Sequence, residues 1–344
     1  MLHTFTPAFR VAGLAGALAL AGMTTTASAQ DYTAKIGHLE SPQQSRHVFL
    51  ERVADLVSER TDGAVAFEIF PSGQLGTQRE MTESVQLGTL EATVSPAAFL
   101  GGFNPAVSIL DIPFLLPADD GTAQELRGGA FGETLLETFS DRGVVGVELW
   151  PNGRKNLTSN KPLDDLTSLA EHKFRTMDSK ILIEQFEALG AAAVALPFGE
   201  LYTSLQTGVV DGQENPLDTI QRMKFYEVQD YLVLTEHGAM EDVVLFNPAW
   251  WNGLPEEYRD VITGAFEEVI PELREHKAEA VAAALDTIDE SSDINIREAS
   301  DEERSAMREA TYDAAVAAYL DRAGDEGAAL IEVYESEYAD VTSD

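Results

Sequence analysis

The chain has 344 residues, 44% of them hydrophobic and 8% aromatic, so it is long enough for two domains and too apolar to be disordered. Its formal net charge of −36 disfavours nucleic acid and anionic membrane surfaces as partners, because both carry negative charge. The absence of cysteine excludes disulfide bonds, thiol catalysis and cysteine metal sites.

The N-terminal segment has the pattern of a secretory signal peptide. His3 and Arg10 precede an apolar run at 11–22, and Ala27-Ser28-Ala29 fits a small-x-small cleavage site. The run is about 12 residues long, against the roughly 20 needed to span a bilayer, which favours a signal peptide over a membrane anchor. We therefore expect residues 1–29 to be a Sec-type signal peptide cleaved near Ala29, and the mature protein to be exported without direct membrane insertion.

Strand-like and helix-like patterns alternate along the first half of the mature chain. The patterns predict strands at 34–39, 65–70, 90–94 and 144–150, and helices at 44–60, 79–87 and 131–141. Residues 104–117 are predicted to form a loop, since they include three prolines.

The second half continues this alternation and then becomes helical. Strands are predicted at 173–177, 193–196 and 293–297, and helices at 181–189, 200–205, 255–291, 300–322 and 326–339. Pro271 is expected to kink or split the long helix, and Ser300 with Glu303 forms a capping box. The βαβ order predicts an α/β fold with mostly parallel sheets, and no internal repeat is recognisable.

Motif searches favour binding over catalysis. The chain has no glycine-rich phosphate loop, no G-x-S-x-G nucleophile elbow and no H-E-x-x-H motif, so neither a nucleotide cofactor nor these catalytic sites are predicted. The histidines after the signal peptide have no metal-ligand spacing. We therefore expect no cofactor and no metal, although a hydrolase with a Glu/Asp pair remains an alternative.

Two arginines and two other residues fall near predicted strand ends. They are Arg154, Arg175, Phe198 and Asn215, the last in a segment, 210–216, that is predicted to be a turn. Ligands of open α/β sheets bind beyond the carboxyl ends of the strands, and arginine suits a carboxylate because its planar fork donates two parallel hydrogen bonds. Alternatively, Arg175 is a surface arginine on an edge strand or is paired with one of the many acids.

The same region resembles the DctP-type solute-binding proteins of tripartite ATP-independent periplasmic (TRAP) transporters. The similarity runs from about residue 33 to 275 and is most specific at 196–216. The matching segments are FPSGQLG at 70–76, REM at 79–81, LGT at 87–89, DIPFL at 111–115, KFR at 173–175, ALGA at 188–191, LPFGELY at 196–202, LQTGVVDGQENP at 205–216 and YEVQ at 226–229.

The resemblance implies a two-lobed, periplasmic binding protein-like (type II-like) α/β fold with a long helix spanning both lobes. Lobe I would comprise residues 30–152, with about 242–270 returning to it. Lobe II would comprise 153–241, with C-terminal helices at about 286–344 packing on it. The helical segment at 255–291 would span the hinge between the lobes.

The resemblance also implies roles for individual residues. Arg175 matches the arginine that clamps the ligand carboxylate, and Asn215 matches the asparagine that assists it. Arg154 matches a second arginine, and Glu40 matches a polar ligand contact. Phe198, Phe99 and Trp150 would wall the pocket or pack in the core, and His237 would be a ligand contact or a structural histidine. Asp218 is also a candidate ligand contact, at a position where an uncharged residue is expected.

The function implied is capture rather than catalysis. The protein would bind a small organic acid by lobe closure in the periplasm and deliver it to membrane permease subunits of the DctQ/DctM type. Glu40 and Asp218 suit a ligand that carries hydroxyl or amino groups, so dicarboxylates, oxo or hydroxy acids, sugar acids, sulfonates and zwitterions such as ectoine all remain candidates. Alternatives are a receptor for an ABC importer or a sensor, and a periplasmic hydrolase.

Overall fold

The computed structural model describes residues 31–343, and the predicted signal peptide lies outside them. The strands are β1 (Tyr32–Gly37), β2 (Val65–Phe70), β3 (Ala92–Pro96), β4 (Val145–Arg154), β5 (Asn156–Ser159), β6 (Lys173–Thr176), β7 (Ala192–Ala195), β8 (Gly212–Asn215), β9 (Tyr231–Leu234), β10 (Ala239–Phe246) and β11 (Asn295–Glu298). The α-helices are α1 (Ser45–Arg60), α2 (Gln78–Leu87), α3 (Asp120–Gly128), α4 (Ala130–Glu137), α5 (Lys180–Ala188), α6 (Leu201–Gln206), α7 (Leu217–Arg222), α8 (Pro248–Gly253), α9 (Glu256–Glu268), α10 (Ile270–Ser291) and α11 (Asp301–Val341). In the described part of the chain, no helix is long and apolar enough to cross a membrane.

Two sheets organise the molecule, and each is the centre of one lobe. Lobe I has a five-stranded sheet in the order β2-β1-β3-β10-β4, and lobe II a six-stranded sheet in the order β11-β9-β5-β8-β6-β7. The chain passes from lobe I to lobe II at Lys155 and returns at 235–238. The expected two-lobed α/β class is therefore confirmed.

The strands next to the lobe crossings make both sheets mixed, which corrects the prediction of mostly parallel sheets. Strand β10 runs antiparallel to β3 and β4, and β5 runs antiparallel to β8 and β9. Each of these strands begins immediately after a crossing and enters its sheet beside the parallel strands. This arrangement places both crossings near the middle of the molecule.

Each lobe contains the same βαβαβ unit, although the sequence shows no repeat. In lobe I the unit is β1-α1-β2-α2-β3, and in lobe II it is β6-α5-β7-α6-β8. The sheet orders β2-β1-β3 and β7-β6-β8 correspond, and all four of these pairings are parallel. The turns at the carboxyl ends of these strands contribute residues to the cleft between the lobes.

Strand β8 was predicted to be a turn, and the structure corrects this. Its four residues, Gly212 to Asn215, are all buried, and it pairs with β5 on one side and β6 on the other. The segment lacks the β-branched and aromatic residues that indicate a strand. Its polar side chains are buried with hydrogen bonds to β5, to α5 and to the lobe crossings.

The helical segment at 255–291 connects the two lobes. The segment is split into two helices near Pro271, as predicted: α9 ends at Glu268, and Pro271 lies in the first turn of α10. Ile270 and Leu273 pack in the lobe I core, whereas Ala284 and Ile288 pack in a lobe II core. Helix α10 therefore contributes to both lobes.

The C-terminal helix contacts lobe I as well as lobe II, on which it was expected to pack. Helix α11 is interrupted at Gly324, which has non-helical backbone angles. Met307, before the interruption, packs in a lobe II core. After it, Leu330 and Tyr334 pack with Phe131 of lobe I. Tyr319, also before the interruption, already packs with lobe I residues and donates to the carbonyl oxygen of Ala106, so the segment before Gly324 contacts both lobes.

We predict that Gly212→Ala destabilises the fold. A Cβ at this position would lie 2.6 Å from the Phe174 ring and closer still to the carbonyl oxygen of Thr158. Neither group is at the end of a flexible side chain, so the free energy of unfolding in urea should fall by about 1–3 kcal/mol. The matched control is Gly264→Ala in α9, where nothing lies within 4 Å of the added Cβ; it should raise stability by about 0.5–1 kcal/mol.

Candidate ligand-binding cleft

A cleft of about 690 Å³ lies between the lobes. Its walls are the turn and helix start at 72–80 of lobe I and the turn at 195–200 of lobe II. At its base is a smaller space, here called the inner chamber, which is lined by Leu39, Glu40, Arg46, Pro96, Phe99, Asn152, Met177, Phe198, Asn215, Thr219 and Met240. The walls of the cleft are mostly apolar with a few polar groups, as in most small-molecule sites.

Arg175 lies behind the aromatic wall of this cleft. Strand β6 carries it, and it is 1% exposed. Its Nε and Nη2 donate to the carbonyl oxygen of Leu196 at 3.0 and 2.8 Å, and its guanidinium carbon is 6.0 Å from the centre of the Phe99 ring. Burial lowers the pKa of Arg175 to about 10, although the negative charge of Glu214 opposes this.

Arg175 differs from the other buried cations in lacking an ion pair. Five lysines and arginines are buried in the part of the chain that the structure describes. Arg46, Arg127, Lys155 and Lys277 each have a carboxylate within 4.0 Å. Among residues 31–343, no carboxylate lies this close to Arg175. Arg175 is therefore a buried positive charge without a counter-ion among these residues, and such a charge is costly.

Glu40 lines the inner chamber as an ionised carboxylate. Its oxygens accept hydrogen bonds from the backbone amide of Arg46 at 3.2 Å and from the amide of Asn152 at 3.0 Å. Burial alone would raise the pKa of Glu40, but the positive charges of Arg46 and Lys277 lower it to about 2. The chamber wall therefore carries a negatively charged acceptor at the position where a polar ligand contact was predicted.

Arg46 is a chamber residue that the sequence analysis missed. Its Nε and Nη2 form a bidentate pair with Asp242 at 2.7 and 2.6 Å, and its Nη2 is 3.4 Å from Glu40. The amide of Asn152 bridges Glu40 and Asp242. The partner Asp242 is almost 200 positions away in sequence, so no local pattern around Arg46 indicates this pairing.

Asp218 is held by Lys277 and does not line the chamber. Lys277 of α10 donates to Asp218 at 2.7 Å and to the side-chain oxygen of Asn152 at 2.8 Å. Both charged side chains are buried. The structure therefore corrects the expectation that Asp218 faces the ligand: it is part of the buried ion-pair network that joins α10 to both lobes.

His237 belongs to a second network, at the lobe crossings. Its Nε2 is 2.7 Å from Glu214, and its Nδ1 is 2.7 Å from the hydroxyl of Thr235. Glu214 also accepts from Lys155 and Gln185, each at 3.1 Å. Burial lowers the pKa of His237, and Glu214 opposes this. This favours its structural role over the predicted ligand contact.

The remaining sequence candidates divide between the chamber and other places. Asn215, Phe99 and Phe198 line the chamber, and the Asn215 amide donates to Gln213. Trp150 is fully buried in the lobe I core and donates to the carbonyl oxygen of Phe266 at 3.0 Å, so it does not wall the pocket.

Arg154 does not point into the cleft either, which corrects its assignment as a second cleft arginine. Its guanidinium donates to the carbonyl oxygens of Leu116, at 3.0 Å, and Pro117. It lines a separate cavity that shares no residue with the cleft or the inner chamber.

Two α/β lobes with a cleft between them, and a buried cation without a partner at its wall, define the class of solute-binding receptors. The family model described as "Bacterial extracellular solute-binding protein, family 7" (DctP) matches residues 36–320. The chain therefore belongs to this family, and the resemblance found in the sequence is confirmed.

Curated relatives in this family are named for organic acids. The chain is 31% identical to the 2,3-diketo-L-gulonate-binding periplasmic protein of Escherichia coli, over 78% of this chain and 79% of the relative. It is also 31% identical to the C4-dicarboxylate-binding periplasmic protein of Rhodobacter capsulatus, over 86% of this chain and 89% of the relative.

A solved TRAP periplasmic solute-binding protein from Desulfovibrio salexigens, with bound orotic acid, is much more similar. It is 60% identical, covers 90% of this chain and 100% of its own, and superposes with a TM-score of 0.89. The ectoine-binding protein of Halomonas elongata superposes with a TM-score of 0.85 at 26% identity, over 90% and 99% of the two chains.

We predict that Asp111→Asn makes stability less dependent on pH. Burial raises the pKa of Asp111 to about 6 from 3.8, with Lys155 and the Ser179 hydroxyl opposing this. Because the folded-state pKa is the higher one, the stability that Asp111 contributes is complete below pH ~4 and is lost as the pH rises through about 6. In urea unfolding the variant should therefore exceed the wild type by about 1–3 kcal/mol at pH 7.5, and match it near pH 4.

The control for this experiment is Asp141→Asn, which removes an exposed carboxylate from lobe I. Its stability should follow the wild-type pH profile. An Asp111→Asn variant that is less stable than the wild type at pH 7.5 would contradict the assignment of a buried, unfavourable charge.

Proposed function

We propose that this protein is the periplasmic receptor of a TRAP-type transporter and that its ligand is a small planar carboxylate of the orotate kind. The observation that carries the proposal is the buried, unpaired charge of Arg175 beside an aromatic wall. A ligand carboxylate would neutralise this charge and accept two parallel hydrogen bonds from the guanidinium. Asn215, which lines the inner chamber, would assist it.

The aromatic side chains that line both the cleft and the chamber support a flat ring, which would lie mainly in the 690 Å³ cleft because the chamber itself has a volume of only about 20 Å³. Phe99 and Phe198 are half-buried and line both the cleft and the chamber, so they offer aromatic faces on which a planar ring can stack. Orotate is a pyrimidine with one carboxylate, ring N–H donors and carbonyl acceptors. The ionised Glu40 would accept from a ring N–H, and Arg46, Asn152 and Thr219 would face the remaining polar edge.

Orotate is also favoured by the relative at 60% identity, whose structure contains it. A C4-dicarboxylate is a poorer fit, because its second carboxylate would meet the negative charge of Glu40 at the chamber wall. Like charges in a water-excluded site repel strongly. Ectoine has only one carboxylate, so it would bring no second negative charge to Glu40, but it lacks a planar aromatic ring.

Closure of the lobes is the proposed mode of capture. We propose that 30–152 with 242–270 moves against 153–241, and that Lys155, residues 235–238 and α10 act as the hinge. Contacts that the ligand makes only when both walls surround it shift the population toward the closed form.

The proposed partners are membrane permease subunits of the DctQ/DctM type, which would receive the solute from the closed form. Export would use the predicted signal peptide with cleavage near Ala29. The solute would be released chemically unchanged, since no step of capture needs a covalent change. Recovery of altered ligand after long incubation would instead support a hydrolase, and a neighbouring ABC permease would support the importer alternative.

We predict that Arg175→Met abolishes ligand binding without weakening the unliganded fold. Methionine keeps part of the apolar stem but removes the charge, so the Kd for orotate in calorimetry should rise at least 100-fold, about 2.7 kcal/mol. Because an unpaired buried cation is lost, the melting temperature of the unliganded protein should not fall. Orotate should no longer raise the melting temperature of the variant.

The matched control is Arg222→Met, which removes an arginine from the exposed surface of lobe II. It should bind orotate as the wild type does. Unchanged orotate binding by Arg175→Met would contradict the carboxylate clamp. If the wild type binds succinate or ectoine but not orotate, the clamp stands and the proposed ring is wrong.

We predict that Glu40→Gln changes which ligands bind. The variant keeps an acceptor oxygen but loses the charge, so the Kd for orotate should rise about tenfold. Binding of succinate should improve relative to orotate, because the repulsion of a second carboxylate is removed. Calorimetry with both acids measures the ratio, and Glu68→Gln on the exposed surface of β2 should leave it unchanged. An unchanged ratio in Glu40→Gln would contradict this role.

A further inference from the structure

A second cavity, of about 210 Å³, lies behind the hinge. We call it the hinge pocket; its walls come from α3, the end of β4, the crossing before β10, and α10. In β4, Asn152 lines the inner chamber, whereas its neighbours Pro151 and Gly153 line the hinge pocket. In β10, Met240 lines the chamber, whereas Ala239 and Glu241 line the pocket. Successive strand residues point to opposite faces, so the two sites lie on opposite sides of the same strands.

The hinge pocket has an unusual charge for this protein. Its lining includes four basic residues, Arg127, Arg154, Arg274 and Lys277, and three acidic residues, Asp120, Glu236 and Glu241. In the whole chain, 59 acidic residues outnumber 23 basic ones. Lys277 is paired with Asp218 outside the lining, so the charges around this cavity are balanced rather than dominated by acids, which makes it less hostile to an anion than the rest of the protein.

Arg154 has the same unmatched charge as Arg175. Its donors are directed to backbone carbonyl oxygens, and among residues 31–343 no carboxylate lies within the 4.0 Å of an ion pair. Burial lowers the pKa of Arg154, while the more distant Glu241 and Glu236 oppose this. By contrast, Arg274 pairs with Asp120 at 2.6 Å and is partly exposed. Arg154 is therefore the cation in this wall that most needs a counter-ion.

Glu241 contributes less negative charge to the wall than its type suggests. One oxygen accepts from Arg127 at 3.0 Å, and the other has no partner within the described residues. Burial raises the pKa of Glu241 to about 7, although Arg127 and Arg154 oppose this. Near neutral pH a substantial fraction of this carboxyl is uncharged, which further favours an anion.

We propose that the hinge pocket is a second binding site, for a small oxyanion such as phosphate, sulfate or a short carboxylate, with Arg154 as its principal ligand and Arg274 and Lys277 beside it. The pocket is built from the strands and helix that connect the lobes, so its shape depends on how the lobes are arranged. An oxyanion that prefers one arrangement of the lobes must change the affinity of the cleft for the cleft ligand. The cleft ligand must then change the affinity of the hinge pocket for the oxyanion by the same factor.

Calorimetric titration with inorganic phosphate, sulfate and acetate at constant ionic strength tests the site. The wild type should show saturable binding of at least one of these anions. Arg175→Met should retain that binding, because its change lies in the cleft. Ala278→Glu places a new carboxylate on the exposed part of the pocket wall without removing any existing contact, and should raise the Kd at least tenfold.

The matched control is Ala283→Glu, which adds the same charge to an exposed position of α10 outside the pocket lining. It separates pocket binding from the general stabilising effect of sulfate and phosphate. It should bind like the wild type. Saturable binding that is lost in Arg175→Met but kept in Ala278→Glu would place the anion in the cleft and overturn the proposal. The absence of saturable binding in the wild type would also overturn it.

Discussion

The unpaired charge of Arg175 is the constraint on which the cleft depends. Among the described residues, the other fully buried cations have ion pairs within the protein, so beside the cleft it is Arg175 that leaves charge for a solute. Leaving a buried charge without its partner costs about 3–5 kcal/mol in proteins. The binding of an anion recovers that cost, and for this reason the receptor can bind an acid despite a net charge of −36.

The two buried networks around the hinge explain how the site is held. Glu40, Arg46, Asn152 and Asp242 connect α1, β4 and β10 within lobe I, and Lys277 extends this network to Asp218 of lobe II. Buried networks of this kind fix geometry more than they add stability. They align Glu40 at one side of the chamber, while Arg175 on β6 lies behind the Phe99 ring that lines it.

The sequence allowed prediction of much of the fold, and of the cleft residues that lie in local motifs. Asn215, Phe198, Phe99 and Glu40, which were predicted as ligand contacts, line the chamber, whereas Arg175 lies behind the Phe99 ring. Arg46 could not be predicted, because its partner Asp242 is distant in sequence. The all-polar strand β8 was missed because its burial depends on hinge contacts rather than on an apolar pattern. Arg154 was placed on the wrong face, because its side chain is directed by the carbonyl groups at 116 and 117.

Calorimetry of the wild-type protein with orotate and with its uncharged amide, orotamide, tests the central claim most directly. The two ligands share the ring and its hydrogen-bonding groups and differ in the charge that would meet Arg175. If the ligand supplies the missing partner of a buried cation, orotamide should bind at least 100-fold more weakly than orotate, about 2.7 kcal/mol. Equal affinities would show that the solute does not neutralise the charge of Arg175, and would contradict the account.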